Sequence, residues 1–328
     1  MQRKRDGLVP IAEVLAALPG PAQVLRTQRQ RLPQRGFTRA DQVDQLVEAS
    51  EADPDLGFMA RLLTLCSLPR SNPGDQKEYK RVNGPYTLYM NATAGNKLPY
   101  GNLPRLLLAW VSTEAVRTQS RELVLGRSLS EFMRALGINS TSGGLRGEQT
   151  RLRNQMRRLF HCTVSLIYDG KHGDASRSSI VADRTEFWWN ERKPDQSSLW
   201  ESKIRLGEDF FNEIIQHPVP LDMNSLKALK RSPLGLDLYL WLVYRIFLLH
   251  SPLRITWRQL YYQFGADPAK ANDKFIVRNF RTKCLRELKK IKATWAGLNY
   301  STAKGVLILH PSKPAIPPSD HHQLASGC

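Results

Sequence analysis

Ser128-Leu129-Ser130-Glu131-Phe132-Met133-Arg134-Ala135-Leu136-Gly137 is followed, 128 residues later, by Thr256-Trp257-Arg258-Gln259-Leu260-Tyr261-Tyr262-Gln263-Phe264-Gly265. Each copy opens on a hydroxyl residue that can cap a helix. Each places Glu131 or Gln259 three residues on, where its side chain can return the hydrogen bond, and closes on glycine, the usual residue of a left-handed C-cap. The pattern predicts two capped helices, and their surroundings also repeat. Upstream, Asn102-Leu103-Pro104 precedes the apolar Leu106–Val111, and Ser232-Pro233 precedes the apolar Leu236–Tyr244. Proline suits a first helical turn because its missing N–H would be unpaired there anyway. Trp110 and Trp241 stand 131 residues apart in these stretches.

Downstream, residues 147–160 place Leu152, Met156, Leu159 and Phe160 on one helical face, and 275–291 do the same with Val277, Phe280, Cys284, Leu288 and Ile291. Two hairpins are then predicted. One is Cys162–Tyr168 and Ile180–Trp189 around a polar loop, Asp169–Ser179. The other is Thr294–Tyr300 and Val306–His310 around a turn, Ser301–Gly305. Helix, capped helix, basic helix, hairpin is the order of a winged helix. The expected fold is therefore α+β and mostly helical, with two tandem winged-helix domains related by an internal repeat. Their expected spans are 55–215 and 216–312.

The chain has 328 residues, and its 48 Lys+Arg against 30 Asp+Glu give a net charge of +18. With 41% hydrophobic residues it has enough apolar surface for a core, which excludes wholesale disorder. A balance so basic points to a polyanion, and double-stranded DNA is the first candidate. Cys66, Cys162, Cys284 and Cys328 stand too far apart for a short-spaced zinc pattern, and four cysteines make no disulfide framework at this length. A reducing, cytoplasmic setting is expected. The longest apolar run, Leu238–Tyr244, is far short of the roughly twenty residues that span a bilayer. Arg3-Lys4-Arg5 and the apolar stretch before Ala22 imitate a signal peptide, but Pro10 and Glu13 interrupt it. Residues 1–50 read as a loosely ordered basic tail; Pro19, Pro21 and Pro33 break the zipper suggested by Leu18, Leu25 and Leu32. Residues 313–328 read as a disordered C-terminal tail.

The charge is concentrated on the third helix of each repeat. Opposite the stripe centred on Met156 lie Arg151, Asn154 and Arg158, flanked by Thr150 and Arg157, with Arg146 just upstream. Opposite the stripe centred on Cys284 lie Asn279, Thr282 and Arg286, flanked by Arg278 and Lys289, with Lys274 and Lys283 on the same helix. From Lys274 to Lys292 eight Lys/Arg face a single acid, Glu287, whereas a merely solvated helix face usually mixes both signs. Arg and Asn can read base edges while Lys neutralises phosphate. The hairpin tips add Lys171 and Arg177 in the first repeat and Lys304 in the second. The alternative reading of both helices is a basic but inert exterior.

No catalytic residue, cofactor or metal site is expected. Gly170-Lys171-His172 lacks the earlier glycine and the hydroxyl of a phosphate loop. A nickase needs histidines flanking an apolar strand residue plus a tyrosine nucleophile. Tyr261-Tyr262 fall in the capped helix, where they read as core or backbone contacts, and the adjacent His321-His322 fall in the tail. His161 and Cys162 are adjacent and diverge, so they start no zinc site.

Several strings resemble the plasmid-encoded RepA replication initiators of theta-replicating plasmids. They are Ala60-Arg61-Leu62-Leu63 with Leu68-Pro69, Leu98-Pro99-Tyr100-Gly101-Asn102-Leu103-Pro104-Arg105-Leu106-Leu107-Leu108, and Leu125-Gly126-Arg127-Ser128-Leu129. Ser142-Gly143-Gly144 and Arg153-Asn154-Gln155-Met156-Arg157-Arg158-Leu159-Phe160 complete the set. The resemblance runs from about residue 56 to about 310. It implies an initiator of tandem winged-helix type that binds repeated origin sites (iterons), helps open the duplex, and recruits the host initiator and replicative helicase. It also implies a possible homodimer that represses its own promoter. A repressor acting on that promoter alone, and a nickase-type Rep, are the alternatives.

Overall fold

The computed structural model of the chain describes residues 55–316 apart from 94, 139–146, 171–172 and 190–195. The N-terminal tail expected over 1–50 lies outside the described residues, as does the C-terminal tail from 317 onward. Residues 313–316 are not free tail. Trp295 Nε1 donates to the Lys313 carbonyl at 3.0 Å, and Ala315 and Ile316 pack on the core.

In chain order the elements begin with β1 (Leu56–Ala60), α1 (Arg61–Leu65), β2 (Glu78–Asn83), β3 (Tyr86–Ala92), α2 (Asn102–Thr118), β4 (Glu122–Gly126), α3 (Leu129–Ala135) and α4 (Glu148–Phe160). Next come β5 (Cys162–Gly170), β6 (Gly173–Ile180), β7 (Ala182–Glu186), β8 (Ser202–Leu206), α5 (Glu208–Gln216), β9 (Pro218–Asp222) and α6 (Met223–Leu229). The chain continues with α7 (Pro233–Phe247), β10 (Leu253–Thr256), α8 (Trp257–Phe264), a 3-10 turn (Pro268–Asn272), α9 (Lys274–Thr294), β11 (Tyr300–Ala303) and β12 (Val306–Leu309). Among the described residues the fold is mixed α/β, with its strands in four sheets. The expectation of a mostly helical chain is corrected by β2, β3, β7 and β8, which lie outside the repeat-based reading or were only partly read.

The repeated caps form as their chemistry dictates, with two differences. At α8 the box is complete: Gln259 N donates to Thr256 Oγ1 at 3.2 Å, and Thr256 N donates to Gln259 Oε1 at 2.8 Å. At α3 only half of it forms. Glu131 N donates to Ser128 Oγ at 3.1 Å, while the Glu131 carboxylate takes the Arg127 N–H instead, at 3.3 Å. Gly137 closes α3 in the left-handed region (φ 71°), but Gly265 after α8 is extended (φ −64°). Glycine is required at 265 for a different reason: a Cβ there would lie 2.3 Å from the Tyr261 carbonyl oxygen.

The largest departure concerns the first hairpin. Asp169–Ser179 is not a loop, because most of it is strand. β5 and β6 pair from Thr163↔Ile180 to Gly170↔Gly173 and extend a four-stranded sheet, β2-β3-β5-β6. The hairpin that matches β11–β12 is β7–β8. The second repeat forms a sheet in the order β10-β12-β11 and the first in the order β4-β8-β7, so in each the strand before the capped helix pairs with the last strand of the hairpin. The first repeat thus carries β5–β6 as an insertion between its third helix and its hairpin. In the second repeat the turn is tighter than expected, reduced to Lys304 and Gly305, with Gly305 at φ 80°.

The two halves share a core. β1 is buried along its whole length and runs antiparallel to β9, from Leu56↔Asp222 to Ala60↔Pro218, so this two-stranded sheet crosses the boundary expected at residue 216. Trp110 meets Phe132 edge-on at 4.9 Å, and Trp241 meets Phe264 edge-on at 5.5 Å, so each repeat locks its first helix to its capped helix by one Trp–Phe contact.

Candidate nucleic-acid interface

The string Leu98–Arg105 is where the halves are joined. Arg105 is 2% exposed, and its guanidinium forms a two-pronged pair with Asp237 of α7, Nε–Oδ1 at 2.6 Å and Nη2–Oδ2 at 2.8 Å. Its remaining N–H groups reach the carbonyls of Gly101 (2.5 Å), Leu68 (2.8 Å) and Pro69 (3.2 Å). A charge so deeply buried is tolerated because every donor is satisfied. Gly101, at φ 83°, turns the chain into α2. Asn102 Nδ2 donates to the Lys230 carbonyl at 2.7 Å. Tyr100 N donates to the Gln155 side chain at 2.8 Å, which ties the string to α4. The motif residues therefore position helices and do not form the exposed surface.

That surface is clearest on α9. Asp273 caps the helix by accepting from the N–H groups of Phe275 (2.8 Å) and Ile276 (3.1 Å). Phe280, Cys284, Leu288 and Ile291 are buried, as the apolar spacing requires. Lys274, Arg278, Asn279, Thr282, Lys283, Arg286 and Lys289 are all exposed. Sequence reasoning missed the role of Glu287. Its carboxylate is buried and receives Arg286 Nε at 3.2 Å and Lys290 Nζ at 3.0 Å. The helix therefore carries its one acid inward, as a tether for two outer cations. Gly235 of α7 leaves it room, since a Cβ there would come within 3.0 Å of the Glu287 carboxylate. Arg286 remains 67% exposed despite the tether. Arg281, absent from the expected set, stands 5.7 Å over the Trp257 ring. Lys304 sits exposed at the tip of β11–β12.

On α4, Arg151, Asn154 and Arg157 are exposed and Thr150 is half-buried. Arg158 differs from expectation. It lies 5.2 Å over the Tyr100 ring, and its Nη1 donates to the Leu98 carbonyl at 3.2 Å, so it braces the Leu98–Arg105 string. Arg146 and Lys171 lie outside the described residues. Arg177 is on β6, opposite Leu166 of β5, and so belongs to the four-stranded sheet and not to a hairpin tip of the repeat.

Tyr261 is buried edge-on to Phe280 at 5.2 Å, while Tyr262 is 40% exposed and lies 5.7 Å from the Arg258 guanidinium. Burial pushes the thiols of Cys66, Cys162 and Cys284 each up to about 12. Among the described residues no group of three His, Cys, Asp or Glu is placed to hold a metal ion, and no helix is long and apolar enough to cross a membrane.

A family model described as plasmid encoded RepA protein matches residues 98–259. Residues 98–259 are a RepA domain. The RepA domain opens on the Leu98–Arg105 string and closes inside the capping box of α8, so α9 and its basic surface follow it. The crystal structure of domains 2 and 3 of RctB superposes with a TM-score of 0.50 at 14% identity, over 77% of this chain and 98% of that one. A second structure of RctB domains 2–3 gives a TM-score of 0.45 at 16% identity, over 76% and 95%. At such identity the first likeness speaks for the fold alone. No curated protein sequence matches the chain.

Proposed function

We propose that this chain is a plasmid replication initiator that binds double-stranded iterons through two winged-helix units, helps open the origin duplex, and recruits the host initiator and replicative helicase. The observation that carries the reading is the one-sided surface of α9. There, seven exposed polar and basic residues lie opposite four buried apolar ones, and the helix's acid is turned inward. The RepA domain supplies the replication context. The matching strand order of β4-β8-β7 and β10-β12-β11 supports a second winged unit around α4. The protein acts without catalysis of its own, in the cytoplasm, by binding, bending and recruitment. Distorting a duplex costs a few kcal/mol, which several basic contacts per unit offset.

The test is competition binding of purified protein on an iteron duplex and a scrambled one at two salt concentrations. A clear preference for the iteron, lost on changing α9 residues, is expected. Equal binding to both duplexes would refute the reading. Direct repeats beside an AT-rich stretch next to the gene would favour an initiator over a repressor. A covalent tyrosyl-DNA adduct would favour a nickase.

A further inference from the structure

Phe275, in the first turn of α9, is 70% exposed. Its backbone N–H donates to the Asp273 carboxylate at 2.8 Å, which fixes its place at the start of the helix. Its neighbours Ile276 and Val277 pack on the core, while Phe275 turns the other way. Cys284, the centre of the buried stripe, lies nine residues on, about two and a half turns, and therefore on the opposite side of the helix. Phe275 thus falls in the middle of the outward face. Asn279, Thr282 and Arg286 continue its row at spacings of four, three and four residues, and Arg278 and Lys289 flank it. All five are exposed.

A single exposed apolar side chain needs no explanation by itself. The position of this one asks for an explanation, because the rest of its row is made of hydrogen-bonding and cationic groups suited to base edges and phosphates. A protein partner would meet one ring flanked by positive charges, with no second apolar residue in the row to extend the contact. The charges suit a polyanion instead. In the major groove of a duplex the apolar feature of the base edges is the 5-methyl group of thymine, and phenylalanine is among the side chains that pack on it. The first residues of a helix laid in that groove are the ones that reach the bases.

We infer that Phe275 is a specificity-determining residue that reads thymine by packing its ring on the 5-methyl group, one helical turn ahead of Asn279. The inference rests on the proposed reading that α9 faces duplex DNA. It adds to that reading a base recognised by apolar contact, which the hydrogen-bonding residues of the row do not supply.

The test is competition binding of the full chain to the iteron duplex and to copies in which single thymines are replaced by deoxyuridine. That change removes the methyl group and keeps every hydrogen-bonding group of the base edge. The unaltered chain should lose about fourfold in affinity at one thymine or more, the worth of burying one methyl group. Phe275→Ala should bind the natural duplex more weakly by at least as much, and should bind the thymine and uracil forms of that position alike. Phe275→Leu, which keeps an apolar side chain, should retain part of the discrimination. Both variants should keep the Tm of the unaltered chain, since the ring is exposed. Equal affinity of the unaltered chain for thymine and uracil at every position, or full discrimination kept in Phe275→Ala, would overturn the assignment. The first comparison uses no variant, so it decides even where a variant fails to fold. A preference for the iteron over a scrambled duplex that survives such a result leaves the reading of α9 standing, and loss of that preference overturns both. Duplex binding unaltered in Phe275→Ala together with a shifted sedimentation coefficient would assign the ring to a contact between copies of the chain and overturn the thymine assignment.

Discussion

The two repeats share their order of elements and divide sharply in what was done with them. The second is bare: α9 follows α8 after one 3-10 turn, and β11–β12 closes on β10 around a two-residue tip. The first has a shorter third helix and carries β5–β6 as an insertion that joins β2 and β3 in a sheet of their own. Their basic helices differ in the same sense. α9 keeps its cations outward and sends its acid inward, whereas α4 gives up Arg158 to brace the Leu98–Arg105 string. One unit has kept its surface free, and the other has given part of it to holding the halves together.

The severest test of that division is the joint itself. Asp237→Ala should cost about 3–5 kcal/mol, because it strands the Arg105 charge in the core. Chemical denaturation of the unaltered chain should show one transition, since β1–β9 and the shared core couple the halves. Two resolved transitions would mean that the halves are independent.

Next in size is the contrast between the basic helices. Arg286→Ala should cost about 1–3 kcal/mol on the specific site if Arg286 grips guanine with two hydrogen bonds. Arg151→Ala on the sparser α4 surface should cost less. Competition binding measures both, and equal losses would erase the proposed asymmetry. Lys289→Ala and Lys304→Ala should weaken specific and random binding alike. Each should lower the salt slope by about one, from a total near −7 if roughly eight phosphates are neutralised. A total slope shallower than about −2 would mean that these surfaces do not face DNA.

Arg158→Ala sharpens the comparison from the other side. It should cost about 1 kcal/mol of stability through the lost Tyr100 stacking and Leu98 hydrogen bond, and leave the salt slope unchanged. A slope lowered by one would return Arg158 to the DNA surface. The smallest effect is expected at Cys66, Cys162 and Cys284. Burial keeps these thiols protonated and covered, so mass spectrometry should find them unlabelled by an alkylating agent at neutral pH until the chain unfolds.

Much of this was legible in the residues. Ser128, Thr256 and Gln259 are short-range caps, and a cap depends only on its own turn. The outward row on α9 followed from the 3.6-residue period of Phe280, Cys284, Leu288 and Ile291. Other features were not legible because they depend on partners far away in the chain. Arg158 looked like any outward arginine until Tyr100 and the Leu98 carbonyl came beneath it. Glu287 looked like a stray acid on a basic face until Gly235 left it room. Gly265 carried the right residue for a reason that the local pattern does not contain.

The sequence by itself determined the three helices of each repeat, the N-terminal caps of α3 and α8, the apolar faces of α4 and α9 and the excess of positive charge, since each is set by residues within a few positions of one another. Only the tertiary structure decided which hairpin closes which sheet, because strands choose partners through long-range ladders that leave the alternation along a single strand unchanged. It also decided which charges are buried. A guanidinium or carboxylate is driven outward by its cost of desolvation unless other groups satisfy it: Asp237 reaches Arg105 from 132 residues away, and Gly235 leaves the room in which Glu287 is buried beside its own helix neighbours Arg286 and Lys290.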